Sequence, residues 1–588
     1  MGAENLGAAV RGSSTTGRIA VAVGLFMIIA ALLISSTMIE SALSTEAVRP
    51  LAWGPTLFRV LLGFHGAMLI AVALTSASFE SVSTKATSPF DGLRANGKSP
   101  LQSKHTPFAP ASLTARASEG EHRDAWAWVL LTALMVLALG LRLWQLDSGM
   151  WIDEVTTLIA YARSPFGEIV SRFESQNNHV LYSIVAHASL LLFGENVSAL
   201  RLPAVLFGVA SVWALFVLAR RRTDTRAALL ACALMAVSYH HIWFSQSARG
   251  YTGILFFATV TTWLWIEARE RQGGRWWGAY VVAVALGSWM HMTMVFVVVS
   301  HVVIDAFAWA LGRVEFTWKP VVAWLLCVTG TLQLYALSLP EFLSVALHQV
   351  SAPSEWTSPA WALAESLRGL RIGYASTGVV AVGGVLTVLG WLELARRMPA
   401  AATAMILPAL LGGAAMVVLG HNIWPRFFFF SMGFVLLLVV HGAMSASRLL
   451  VGQKPAADLV AASLVGVAIV ASATTIPRAY LPKQAFGEAR DYVEEHRGSE
   501  DGVVAVGLAG SVYGRYYAPQ WAVAQSAHEL EAARRGHSTN WLVYTLPTQL
   551  KTFRADVWRV VEDEFNVVKV FPGTLSGGQV YVCRSAKQ

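Results

Sequence analysis

The sequence predicts an all-α polytopic membrane protein of about 13 transmembrane helices, followed by a small extracytoplasmic α/β domain. Three observations predict it. The 588 residues are 55% hydrophobic and only 14% charged, where a water-soluble chain carries roughly a quarter of charged residues. Long uncharged runs recur between residues 19 and 476. From about residue 484 onward the composition turns to that of a soluble domain. Together these exclude a soluble enzyme, a disordered chain and a fibrous one. The net charge of +8, from 44 Lys and Arg against 36 Asp and Glu, needs no nucleic-acid partner. Basic residues gather in the cytoplasmic loops of membrane proteins.

The elements follow in order. Residues 1–77 hold two apolar runs, near 19–39 and 57–77, read as two N-terminal transmembrane helices. Residues 78–124 lose periodicity and fill with Ser, Thr, Pro, Lys and Arg, as a flexible cytoplasmic linker does. Residues 125–480 form the main module, with runs near 126–146, 202–219, 227–245, 250–266, 276–290, 292–312, 320–340, 374–395, 400–420, 427–447 and 456–476. Basic clusters at Arg220–Arg222 and Arg226, Arg269 to Arg275, Arg313 and Lys319, Arg396 and Arg397, and Arg448 and Lys454 are each separated by two runs. That alternation marks cytoplasmic loops. It places the N-terminus in the cytoplasm, the C-terminus outside and the whole chain in the cytoplasmic membrane as a multi-pass protein. The run 179–194 would break the alternation if it spanned, and at about 16 residues it reads as an interfacial or re-entrant helix. Within 484–588, a helix over Phe486–Arg497 and strands near Val503–Gly507, Trp541–Tyr544, Val567–Val570 and Val580–Cys583 are expected. Cys232, Cys327 and Cys583 suggest neither a disulfide framework nor a metal cluster.

Ionisable groups at the outer face are where function is sought, because their burial is costly. Asp153 and Glu154 open the first external loop, directly after a spanning helix. Either suits a general base or a metal ligand, and Asp153 alternatively caps the helix that follows. Asn178 and His179, in Gln176-Asn177-Asn178-His179 before Tyr182, suit sugar hydroxyls or the capping of the next helix. Arg249, followed by Tyr251, starts a spanning helix on the external side, against the basic-residue trend. It reads as a phosphate partner or as a snorkelling cation. His291, at a tight interhelical turn, and Arg426, before four phenylalanines, share that face. Carboxylates and arginines beside lipid suit transfer from a lipid-linked phosphate ester. The residues name no definite cofactor, and Asp153, Glu154 and His291 are the ones that would take a divalent cation (Mg, Mn or Zn). In the C-terminal domain, Tyr513, Arg515, Tyr516 and Tyr517 form a cluster that could face a glycan or build the domain core, and the domain is expected to assist acceptor access.

These residues carry a resemblance. The chain from about 126 to 476 is similar to the GT-C superfamily of membrane glycosyltransferases, closest to the family 39-like branch of protein O-mannosyltransferases and aminoarabinose transferases. The matching elements are Asp153-Glu154, Asn178-His179-Val180-Leu181-Tyr182, Phe193-Gly194-Glu195 with Arg201-Leu202-Pro203, Ser245-Gln246-Ser247-Ala248-Arg249-Gly250-Tyr251, and His291. The resemblance implies inverting transfer of a sugar from a polyprenyl-phosphate donor to a hydroxyl of a glycan, lipid or protein at the outer face. The family aspartate maps to Asp153, with Glu154 beside it. Relatives often carry Glu where this chain has Ser247, and Pro-Pro where it has His179-Val180. A transporter or flippase is the alternative. It would place ionisable groups near the midplane and show repeated halves, whereas here most lie at one face.

Overall fold

The computed structural model describes residues 15–43, 51–85, 111–175, 177–222, 224–347, 353–452 and 454–585. Each of the thirteen apolar runs expected to span becomes a helix or a pair of helices. Among the described residues seven helices are long and apolar enough to cross a membrane, or ten if each of three bent pairs is one span. The bent pairs are Gly17–Leu33 with Ser36–Leu43, Thr225–Ala236 with Tyr239–Ser245, and Trp318–Tyr335 with Leu339–Val345. The chain is a multi-pass membrane protein. The remaining three runs, Tyr251–Arg271, Gly274–Met290 and Met294–Ala310, are helices that are either 17 residues long or end in a charged turn. Helix Val180–Phe193 has only 14 residues, roughly 21 Å of rise, short of a bilayer core.

The chain divides into two compact units. In the first, residues 1–129 with 328–340, helices Thr15–Leu33 and Gly54–Lys85 pack through glycine: a Cβ on Gly24 would lie 2.6 Å from the Gly66 carbonyl oxygen. Arg59 Nε donates to Ala31 O at 3.1 Å and His65 pairs with Thr329 Oγ1 at 2.9 Å. The linker expected over 78–124 is shorter than its composition suggests. Helix continues to Lys85 and resumes at Ala111, because Ala, Glu and Arg near its ends extend a helix already nucleated in an apolar run. Residues 86–110 lie outside the described residues.

The second unit, residues 130–327 and 341–588, holds the remaining helices and the C-terminal domain. Helix Tyr251–Arg271 is its most enclosed span, buried along nearly its whole length from Tyr251 to Ala268. Helices Thr377–Arg397 and Met432–Val451 approach backbone to backbone at Gly390 and Gly442. The C-terminal domain has the strands β1 (Gly502–Val506), β2 (Ala522–Ala524), β3 (Asn540–Thr545), β4 (Phe565–Phe571) and β5 (Val580–Ser585), in the order β2-β1-β3-β5-β4. β2, β1 and β3 run parallel, and β5 lies antiparallel to both β3 and β4. Val504, Val506, Leu542, Val557, Phe565 and Cys583 form its core. The four expected strands and the helix (Phe486–His496) are present. Only β2 escaped the pattern, being three residues at an edge.

A Cβ at Gly442 would lie 1.8 Å from Leu386 O, whereas Gly466 has nothing within 4 Å. Gly442→Ala is expected to cost about 1–3 kcal/mol by overpacking. Gly466→Ala should be neutral or stabilising. Thermal unfolding of the two variants in detergent checks the contrast.

Candidate functional site

The site is built on two loops and one buried ion pair. After helix Ala111–Leu143 the chain turns through Leu146–Gly149 and starts a short helix, Ile152–Thr157. Its N-cap is Trp151, not Asp153, so the capping alternative for Asp153 is set aside. Asp153 is the second residue of the helix. Glu154, expected as a second catalytic carboxylate, is fully buried instead. Its Oε1 accepts from Arg201 Nε at 2.7 Å and from the Ala248 N–H at 2.7 Å. Its Oε2 accepts from Arg201 Nη2 at 2.6 Å and from the Trp151 N–H at 3.3 Å. Burial acts to raise its pKa, but Arg201, Lys483 and the Ala248 N–H outweigh it and hold the carboxyl below its ordinary value. Arg201 spends its other donors on Leu146 O, Ser148 O and Gly149 O, at 2.9, 2.8 and 3.0 Å. Glu154 therefore has no acceptor site left for substrate.

Asp153 is the opposite case. Its carboxylate is 19% exposed and lies 3.6 Å from Arg426 Nη1, too long for a hydrogen bond. The carboxylate is ion-paired with Arg426 at that distance, and the backbone carbonyl accepts from Thr157 Oγ1 at 2.8 Å and Asn177 Nδ2 at 3.4 Å. The side chain stays available to a proton on a third group.

The second loop and the turn before Met432–Val451 supply the cations. Arg249 donates to Thr157 Oγ1 at 3.2 Å and to Asn177 O, and its Nη2 lies 3.0 Å from His179 Nε2. Arg426 is framed by the rings of Trp424, Trp151 and Phe427, 4.8 to 5.8 Å from its guanidinium carbon. Among the described residues, the buried Nε of each arginine has no hydrogen-bond partner. His179 Nδ1 accepts from the Gly250 N–H at 2.8 Å, so with Nε2 against Arg249 both ring nitrogens are engaged. Burial, then Arg249, His291 and Arg426, pushes the His179 pKa well below its usual range. His291 Nδ1 lies 2.9 Å from Thr293 Oγ1 and 3.2 Å from the Thr293 N–H. Burial and the two arginines take its pKa to about 3. The His179 and His291 rings are 4.6 Å apart, with the Tyr251 ring 5.5 and 5.6 Å from them. Two arginines thus line one wall, with two neutral imidazoles beside them. Such a wall suits an oxyanion.

Residues 179–339 match the family described as Dolichyl-phosphate-mannose-protein mannosyltransferase. The chain is similar to the GT-C membrane glycosyltransferases, as its motifs predict. The matched segment takes in His179, Arg201, Arg249, Tyr251 and His291 of this GT-C-like site. Among solved structures, the chain is similar to ArnT from Cupriavidus metallidurans in the apo state, with 13% identity over 79% of this chain and 99% of that chain at a TM-score of 0.48. The same protein bound to undecaprenyl phosphate gives 14% identity, 78% and 98% coverage and a TM-score of 0.47. The apo oligosaccharyltransferase of Archaeoglobus fulgidus gives 11% identity, 78% and 74% coverage and a TM-score of 0.48. No curated protein matches the chain.

Other expectations are corrected by the geometry. Asn178 is not offered to substrate: its Nδ2 donates to Arg172 O at 3.1 Å and its Oδ1 accepts from Ser183 at 2.9 Å, pinning the entry to Val180–Phe193. Asp153, Glu154 and His291 do not form a metal donor set. Glu154 is spent on Arg201, His291 Nδ1 on Thr293, and no group of three His, Cys, Asp or Glu able to hold a metal occurs among the described residues. Gln176 lies outside the described residues. Of the C-terminal tyrosines, Tyr513 donates to Phe486 O at 3.0 Å, and Tyr517 donates to Met150 O at 2.9 Å. Both hydroxyls are spent on backbone carbonyls. Sequence reasoning assigned no role to Arg201, although it too is a cation in the first turns of a helix. It gave no signal for Lys483, whose buried amine donates to Gln246 O at 2.8 Å beneath the Trp243 ring.

Glu154→Gln would leave Arg201 buried without its counter-ion and is expected to cost about 3–5 kcal/mol, read as a lowered thermal midpoint. Burial first, with Arg201 adding and Glu154 opposing, lowers the Lys483 pKa from 10.5 to about 7. Between those values the unfolded chain binds the extra proton, so stability rises with pH across that window. In Lys483→Met the rise should be absent when unfolding is followed from pH 7 to 10.

Proposed function

We propose that the protein transfers a sugar from a polyprenyl-phosphate donor to an acceptor hydroxyl, with inversion, at the outer face of the cytoplasmic membrane. The single observation that carries this reading is the wall of Arg249 and Arg426, with His179 and His291 beside it, next to the partly exposed carboxylate of Asp153. The match to a family described by a lipid-phosphate sugar donor supports it.

In this reading the donor phosphate lies against the arginines and Tyr251, where the unpartnered Nε groups receive its oxygens. As the acceptor oxygen attacks the anomeric carbon from the opposite side, the bond to the phosphate breaks. Negative charge then develops on the leaving polyprenyl phosphate, and fixed donors offset it. Asp153 takes the hydroxyl proton, a task for a carboxylate that is placed but not spent. Attack from the face opposite the leaving group gives inversion. No step is routed through a metal ion. The N-terminus is read as cytoplasmic and residues 484–588 as extracytoplasmic. A cysteine introduced after residue 500 should react with a membrane-impermeant reagent in intact cells, and protection there would overturn the orientation.

Asp153→Asn is expected to lower turnover by about 10²–10⁴ with thermal stability near wild type. A loss under tenfold would remove Asp153 as the base. Arg249→Ala and Arg426→Ala should each weaken binding of polyprenyl phosphate. Lysine should rescue poorly at either position, because it lacks the planar fork. Comparison of surface glycans and glycolipids by mass spectrometry, with and without the gene, identifies the product.

A further inference from the structure

We propose that the C-terminal α/β domain is a positioning part of the active centre, in which Tyr517 and Gln484 hold the backbone just before Asp153 and so set where its carboxylate points. The inference rests on the reading of Asp153 as the base.

A helix start leaves its first N–H groups without intrahelical partners. The N-cap of Ile152–Thr157 is Trp151, which has no side-chain acceptor to serve them. The chain solves this from elsewhere. Trp151 N–H goes to Glu154 Oε2 at 3.3 Å. Ile152 N–H goes to Gln484 Oε1 at 3.1 Å, and Met150 N–H to the Tyr517 hydroxyl at 2.7 Å. The same hydroxyl donates to Met150 O at 2.9 Å, so Tyr517 grips one residue by both backbone groups. Two of three successive amides are thus held by side chains from beyond residue 480.

Both anchors are themselves braced. The Tyr517 ring packs on Phe486, Tyr513 and Tyr516 at 5.0 to 6.3 Å. Gln484 Nε2 donates to Thr545 Oγ1 at 3.0 Å, and Thr545 ends β3. The parallel strands β2-β1-β3 reverse their winding between β1 and β3. The crevice beyond the carboxyl ends of such strands is where open α/β sheets take ligands. Here that edge takes the loop of the membrane module: helix Gly507–Val512, which follows β1, packs on Ile152–Thr157. The same region reaches the second loop through Trp243 Nε1 to Thr574 Oγ1 at 2.8 Å and Lys483 Nζ to Gln246 O at 2.8 Å. The domain therefore ties together the loops that carry Asp153 and Arg249. A misplacement of about 1 Å in a reacting group costs on the order of 10² in rate, so a hold this close to Asp153 acts on the chemistry.

The test is hydrogen–deuterium exchange on the full chain in detergent. Tyr517→Phe and Gln484→Leu are each expected to speed exchange of the peptide spanning 149–155 by about tenfold, the loss of one or two hydrogen bonds. Exchange in β1 and β3 and the thermal midpoint should stay at wild-type values. Gln484→Glu, which keeps the acceptor for Ile152, should restore slow exchange. With polyprenyl phosphate as the probe, Kd should change less than twofold in Tyr517→Phe. Unchanged exchange at 149–155 in both variants overturns the proposal, as does acceleration spread evenly over the chain or failure of the glutamate to rescue. If the localised effect appears but wild type does not bind polyprenyl phosphate, the positioning stands and the functional reading falls.

Discussion

The rest of the site depends on the buried ion pair between Glu154 and Arg201. Two charges removed from water are an expensive feature unless every donor and acceptor is used. Here they are. The carboxylate accepts from two Arg201 nitrogens and two backbone N–H groups, and the guanidinium adds three carbonyls of the Leu146–Gly149 turn. In one knot it joins the exit of helix Ala111–Leu143, the start of Ile152–Thr157, the first turns of Val197–Arg222 and the turn ahead of Tyr251. Loops that would otherwise move independently are locked into one register.

That knot explains how two adjacent carboxylates come to different ends. Neighbours on a helix diverge by about 100°, so when Glu154 turns into the protein, Asp153 turns toward Arg426 and water. The Ala248 N–H bond to Glu154 also fixes where Arg249 begins its helix. Placement of the free carboxylate and of the first arginine is one event. Arg426 arrives separately, held in its aromatic frame of Trp424, Trp151 and Phe427. His179 and His291 stay neutral among these cations because burial and their charged neighbours disfavour a further positive charge.

Much of this was legible in the sequence, for physical reasons. Spanning helices announce themselves because a bilayer demands a long apolar run, and arginines at helix starts expected outside stand out because they would defy the charge bias. Those two signals brought Asp153, Arg249, His291 and Arg426 to one face before any geometry was known. What stayed hidden is pairing at long range. Nothing local distinguishes Glu154 as the partner of Arg201, 47 positions away, from Asp153 as a free acid. Asn178 likewise looks like a sugar ligand until Ser183 and the carbonyl of Arg172 claim its amide. Tyr517 and Gln484 lie more than 330 positions from the backbone they hold, beyond the reach of periodicity. The three-residue β2 carried too few residues to show an alternation.

The central claim is that the wall of Arg249, Arg426, His179 and His291 receives the phosphate while Asp153 is left free on the acceptor side. A cryo-electron microscopy structure of the full chain with polyprenyl phosphate bound tests it most directly. The account predicts phosphate oxygens within about 3 Å of Arg249 and Arg426 nitrogens, with the Glu154–Arg201 pair intact and the Asp153 carboxylate not liganded by the phosphate. Density for the phosphate away from both arginines, or a Glu154 carboxylate released from Arg201 to meet it, would contradict the account.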